Sequence, residues 1–308
     1  MHWIKKACCA LAFTFAATAG AHAQTKITLG HTGVADYLAS FVAQERGFFK
    51  KHGLDVTFQQ VAGGALAPGL QGGSLQMATL PPTNMLLGID GGLDLVAVAG
   101  TSVTAKTDEN FGLLAGAPSD IHKPEDLIGK KVGVPSIGGS LYVLARKWIA
   151  DQGIDTGKVN FVEVNFPQTG DLLKNGTIDA GVSADPFLPR AVKAGNARVL
   201  AYFPAFLPEN TSGVFYATTR KWAEANQAAV GQFRAAIAEA IEFTKANPDA
   251  AREDLAKYIK LPAPVLASIP TPRLSAEASP EQLSFWIDTM HGMELIRAKP
   301  EAAAIIAQ

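Results

Sequence analysis

The sequence predicts an α/β protein of two lobes, each a largely parallel sheet packed by helices, the two joined by two crossover strands. Three observations carry this expectation. Short apolar strands alternate with helical patterns over most of the chain. One strand–loop–helix–strand module occurs twice with its landmarks in the same order. Glycine follows the helical patterns where a left-handed residue would close them, as at His52-Gly53 and Gln152-Gly153.

The first module opens with Lys26-Ile27-Thr28-Leu29-Gly30 as a strand and His31-Thr32-Gly33 as its loop. Leu38, Phe41, Val42, Phe48 and Phe49 then recur at helical spacing, and Leu54-Asp55-Val56-Thr57-Phe58 resumes a strand. A glycine-rich link leads through Gly73-Ser74-Leu75-Gln76 to a strand over 77–80 and the loop Pro81-Pro82-Thr83-Asn84. In the second module Lys131-Val132-Gly133-Val134 is the strand and Pro135-Ser136-Ile137-Gly138-Gly139-Ser140 the loop. Leu141, Leu144, Trp148 and Ile149 mark its helix, and 159–164 its next strand. Another helix ends at Asn175-Gly176-Thr177-Ile178-Asp179, in the place of Gly-Ser-Leu-Gln, before a strand over 180–183 and the loop Asp185-Pro186-Phe187.

The segments 112–116 and 213–217 flank the second module and read as the two strands running between the lobes. The expected division is 24–114 with 216–308 as one lobe and 115–215 as the other. Amphipathic helices follow over 227–246 and 248–260, with more starting near Pro280 and Pro300. This C-terminal part is expected to pack back on the first lobe, because the second module is already complete.

The first 23 residues set the compartment. Lys5 and Lys6 precede an apolar run, and Ala21-His22-Ala23 ends it with small residues at −3 and −1, the pattern of a cleaved signal peptide. The run is shorter than the roughly 20 residues of a membrane anchor. Cleavage after Ala23 leaves a mature chain starting at Gln24, periplasmic and not inserted in a membrane. Cys8 and Cys9, the only cysteines, leave with the leader, so no thiol, disulfide or cysteine metal site is expected. The formal charge moves from −1 to −3, and no basic block points to nucleic acid.

Loops after the C-terminal ends of strands are where open α/β sheets bind ligands. Four such loops hold the candidate ligand-binding residues: His31, Thr32, Asp36 and Tyr37; Thr83 and Asn84; Ser136, Gly138, Gly139 and Ser140; Asp185 and Phe187. The loop over 136–140 opens a helix with free N–H groups and two hydroxyls, which suits an anionic or strongly accepting group. A plain turn with a serine N-cap fits the same residues. The same residues have structural readings: Thr83, Asn84 and Asp185 as helix caps, Tyr37 and Phe187 as core aromatics, and His31 as a surface histidine. Carboxylate pairs such as Glu125-Asp126 and Glu253-Asp254 are expected to be solvated on helix faces. No G-x-S-x-G, G-x-x-x-x-G-K-[ST] or H-E-x-x-H occurs, and His31, His52, His122 and His291 lack metal-ligand spacing. No catalytic residue, metal or cofactor is expected.

Phe41-Val42-Ala43-Gln44-Glu45-Arg46-Gly47-Phe48-Phe49-Lys50-Lys51-His52-Gly53-Leu54-Asp55-Val56 resembles the opening signature of the alkanesulfonate/taurine/nitrate-binding branch of the periplasmic binding proteins, which also holds pyrimidine-precursor binders. Residues 126–135, 175–186 and Ala246-Asn247-Pro248 are similar as well. The resemblance implies a type II periplasmic binding protein fold, with the ligand cleft between the lobes. It implies capture of a small molecule by lobe closure, and docking of a monomer on an ABC permease with its ATPase. It places Ser136 and Ser140 where members contact a ligand's polar or anionic head, and His31 and Asp36 in the first cleft loop. Members often carry Trp-Glu-Pro where this chain has Ala184-Asp185-Pro186. With no arginine in the four loops, an organic, sulfonate-like molecule with one polar or anionic end fits better than bare nitrate or sulfate. Two alternatives remain: a periplasmic sensor for a signalling receptor, and a thiamine-pyrimidine synthase on the same fold. The synthase family carries a cysteine-rich motif that the mature chain lacks.

Overall fold

The computed structural model describes residues 24–259 and 262–308, so the expected signal peptide lies outside the described residues. Among the described residues no helix is long and apolar enough to cross a membrane.

The first module folds as β1 (Thr25–His31), α1 (Leu38–Glu45), α2 (Phe48–Lys51), β2 (Leu54–Gln60), α3 (Gly63–Gln71), β3 (Met77–Leu80), α4 (Pro82–Asp90) and β4 (Leu95–Gly100). The single helix expected over 38–49 is split by Gly47, whose φ of 75° is left-handed. After the short β5 (Val103–Thr104) come β6 (Phe111–Gly116), β7 (Lys131–Val134), α5 (Ser140–Asp151), β8 (Asn160–Glu163), α6 (Phe166–Lys174), β9 (Ala180–Ala184), α7 (Phe187–Lys193) and β10 (Ala197–Tyr202). The chain ends through β11 (Thr211–Ser212), β12 (Phe215–Thr219), α8 (Arg220–Ala225), α9 (Gln227–Ala246), α10 (Pro248–Tyr258), α11 (Ala263–Ser268) and α12 (Pro280–Gly292). The last helix expected near Pro300 is one 3-10 turn, Ala302–Ile305.

Two five-stranded sheets result, ordered β2-β1-β3-β12-β4 and β10-β6-β9-β7-β8. The parallel trios β2-β1-β3 and β8-β7-β9 are the repeated modules. Each sheet is completed by one antiparallel strand taken from beyond its own module. β12 enters the first sheet between β3 and β4, and β6 enters the second between β9 and β10. The segments read as running between the lobes are therefore interior strands. The chain crosses just before each, and the crossings pair with one another as the antiparallel ribbon β5–β11, with Thr104 opposite Thr211. Leu113, Leu114, Ala115, Phe215, Tyr216 and Ala217 are buried on both faces, which explains their uninterrupted apolar run.

One face of the first sheet packs on α1, α9 and α10, where Phe41, Phe49, Phe233 and Tyr216 are fully buried. A second apolar layer runs from Leu80 and Leu86 through Trp286 and Met290 of α12 to Val132, Val143 and Ile149 of the second lobe. The C-terminal part thus packs on the first lobe through α9 and α10, while α12 touches both α4 and α5. One charge expected to be solvated is not. Asp254 is 1% exposed and accepts from Arg46 Nε at 2.8 Å and Nη2 at 3.2 Å. The face of α10 that looks polar in sequence meets the end of α1, where Arg46 neutralises it.

Candidate functional site

β3 and β7, in different sheets, each lead into a helix, α4 and α5. Because α4 starts immediately after β3 and α5 soon after β7, their N-termini meet. Thr83, fully buried, lies with its Oγ1 3.2 Å from Ser140 Oγ. A Cβ placed on Gly138 would stand 3.1 Å from Leu87 Cδ1 of α4, and Gly138 has a φ of +83°. Residues carried by the two sheets are therefore in contact here.

Neither cap alternative for these helices is realised. The N-cap of α4 is Pro81, and neither Thr83 nor Asn84 caps it. Asn84 Oδ1 lies 3.5 Å from Thr83 Oγ1, at the limit of a hydrogen bond. Gly139 is the N-cap of α5 with Ser140 as its first residue, and no side chain caps it. The N–H groups expected to be free in this loop are partly engaged. Ile137 N–H donates to Glu163 Oε1 at 2.8 Å and Gly139 N–H to Ser136 O at 3.2 Å. Glu163 went unrecognised in the sequence; it ends β8 directly opposite Val134 of β7, a placement that only the parallel register reveals. Its carboxylate sets a negative charge beside a loop expected to attract one.

On the first lobe the candidates divide. His31 is 3% exposed, neither a surface histidine nor an open donor. Phe41 and Phe58 stand edge-on to its ring at 5.4 and 5.5 Å, and burial holds its pKa below the usual histidine value. Its Nδ1 has no partner. Tyr37 is buried as well, its hydroxyl 3.0 Å from Thr32 Oγ1. Burial also pushes the Tyr37 phenol up. Asp36 is half-buried and accepts from Ser102 Oγ at 2.8 Å, which ties the first cleft loop to the crossover. Burial raises its pKa and the Ser102 hydrogen bond opposes the rise.

On the second lobe Asp185 is not a cap, since Pro186 holds that place before α7. Burial raises its pKa, with no cation to oppose the shift. Phe187 stacks on Phe166 with ring centroids 6.3 Å apart and planes at 12°, so two aromatic rings rather than one mark this edge. Asn110 Oδ1 and Ser183 Oγ are buried there without hydrogen-bond partners. The sequence marked neither, because each precedes or ends an apolar strand and becomes notable only once its partners are counted. Among the described residues no three His, Cys, Asp or Glu side chains converge on a metal position. The candidate residues thus supply hydroxyls and carboxylates, of which Thr83 and Ser140 meet at the N-termini of α4 and α5.

Residues 35–251 match the family model described as "NMT1/THI5 like". A Brucella abortus protein provisionally named a binding protein is 27% identical over 258 residues, covering 82% of this chain and 77% of its own. The crystal structure of the periplasmic aliphatic sulphonate binding protein SsuA from Escherichia coli superposes with a TM-score of 0.75 at 22% identity, covering 92% of this chain and 98% of that one. The periplasmic nitrate-binding protein NrtA from Synechocystis PCC 6803 follows with a TM-score of 0.74 at 17% identity, covering 92% and 85%. These structures show that the fold is that of the type II periplasmic binding proteins. All three similar proteins are described as binding proteins.

Proposed function

This chain belongs to the NMT1/THI5-like family, and on that premise we propose that it is the periplasmic solute-binding component of an ABC importer. It is exported by its 1–23 signal peptide, captures a small organic molecule with a polar head by closing its lobes, and presents the closed form to a permease and its ATPase. The observation that carries the reading is the exchange of β6 and β12 between the sheets, with one paired ribbon behind them. Two lobes so connected can hinge as rigid bodies, and a ligand touching both binds the closed arrangement better. The facing hydroxyls of Thr83 and Ser140 support closure on a polar head. The names of SsuA and NrtA support a small polar solute as the cargo class. Mature protein isolated from its own periplasm and examined by native mass spectrometry should carry a co-purifying small molecule. Small-angle scattering should show the radius of gyration falling when that molecule is restored to stripped protein. Stripped protein that neither binds nor contracts with any periplasmic small-molecule fraction would refute the reading.

A further inference from the structure

The geometry points to a donor-recognising subsite at the cleft end of the second sheet. There Asn110, Ser183 and Asp185 accept hydrogen bonds from an N–H-bearing head group of the ligand, a protonated amine or an amidine-type NH2, beside the Phe166–Phe187 stack. The inference rests on the solute-binding reading and specifies the chemistry of its ligand.

The β-ladder brings these residues together. Phe111 pairs with Ala184 and Gly112 with Ser183, and Asp185 N–H donates to Asn110 O at 2.8 Å, which extends the register one step further. Asn110 therefore stands opposite Asp185, and directly opposed side chains in an antiparallel pair share a face. Ser183, two residues from Asp185, lies on that face too. Tyr202 of β10, paired with Gly112, completes the row, and Glu109 and Asp185 are near enough to raise its phenol further after burial has done so. Phe187 follows Asp185 by two residues and holds Phe166 against it.

What distinguishes this edge is unspent hydrogen-bonding capacity. Ser183 is 1% exposed with no partner for its hydroxyl, and Asn110 Oδ1 is sealed from water without a donor. The Asp185 carboxylate makes no hydrogen bond or ion pair with any described residue, and burial disfavours its charge. Folded proteins pair nearly all buried polar groups, so two such groups beside an unpaired carboxylate mark a place where a partner arrives from outside. The sign of the missing partner follows from charge. The segments 31–37, 81–84, 99–103, 109–112, 135–140, 163–166 and 184–187 hold Asp36, Glu109, Glu163 and Asp185 but no lysine or arginine, while the neighbouring Asp108 is paired with Arg273 at 3.6 Å. Such a cleft repels an oxyanion and concentrates a donor or cation. The aromatic pair adds a surface for a flat or cationic group.

Matched probes test this by calorimetric titration of the mature protein. The pairs are taurine with ethanesulfonate, benzamidine with benzoate, and 4-amino-2-methylpyrimidine with 2-methylpyrimidine. In at least one pair the amino member should bind tighter by about tenfold or more, as a charge-assisted hydrogen bond allows. Asp185→Asn should erase most of that preference and Ser183→Ala a smaller part, with melting temperatures showing both variants folded. The subsite is overturned if no amino member binds, if the oxyanion or desamino partner binds as tightly, or if the preference survives Asp185→Asn. A desamino probe that binds and contracts the protein would sink the subsite while leaving the solute-binding reading intact.

Discussion

The proposed lobe closure can be measured at the Thr83–Ser140 contact, whose hydroxyls are carried by helices that follow strands of different sheets and should separate if the cleft opens. Thr83 is fully buried, its Oγ1 is 3.2 Å from Ser140 Oγ, and its only other hydrogen-bond neighbour among the described residues, Asn84 Oδ1, sits at 3.5 Å. Ser140→Ala removes one neutral hydrogen bond from the closed state, worth about 0.5–1.5 kcal/mol net. The closed-to-open ratio should fall by about 2- to 13-fold. Thr83→Val on the Ser140→Ala background should recover part of this loss, since it removes the hydroxyl that Ser140→Ala leaves stranded. Distances between spin labels placed on the two lobes would report the populations of all four proteins in the cycle. A coupling of zero between the two sites would refute the idea that this pair latches the cleft. A lowered melting temperature with unchanged closure would instead mean that Ser140 serves its own helix.

Three further outcomes follow from single contacts. Asp254→Ala leaves Arg46 only the Ala250 carbonyl and the face of the Phe243 ring; because Arg46 is also a third exposed, the loss should be about 2–4 kcal/mol, read from urea midpoints at constant slope. Burial lowers the His31 pKa, so below about pH 6.5 the unfolded chain binds a proton that the folded chain refuses. That contribution to stability is complete above pH 6.5 and is lost as pH falls toward the depressed value, and His31→Gln should flatten this part of the profile. Gly138→Ala places a side chain at a φ of +83° and against Leu87 of the other lobe. It should cost about 1–2 kcal/mol of stability and also open the cleft, whereas strain alone would leave closure unchanged.

Much of the architecture was legible because its signals are local. Strand ends at Val134 and Leu80, helix stops at Gly53 and Gly153, and the whole of α9 follow from periodicity and left-handed glycines. The repeat was legible too, since both modules preserve the same turn residues before the same strands. The true crossing points were not. Interior strands and connecting strands are equally apolar, and only pairing shows that β6 and β12 have changed sheets.

The candidate site divides along the same line. The loops at the ends of the parallel strands were legible from the alternation of strand and helix along the chain. That marked Thr83, Ser140, Asp185 and Phe187 as candidates at strand ends. Tertiary structure decided what each side chain has for company. It enclosed His31 and Tyr37 among aromatic rings, set Glu163 on the Ile137 N–H, and left Asn110 and Ser183 without partners. Those outcomes depend on register between strands far apart in the chain and on how closely two lobes approach. A hydrogen bond made or missing there is a property of distance in space, which spacing along the sequence does not encode.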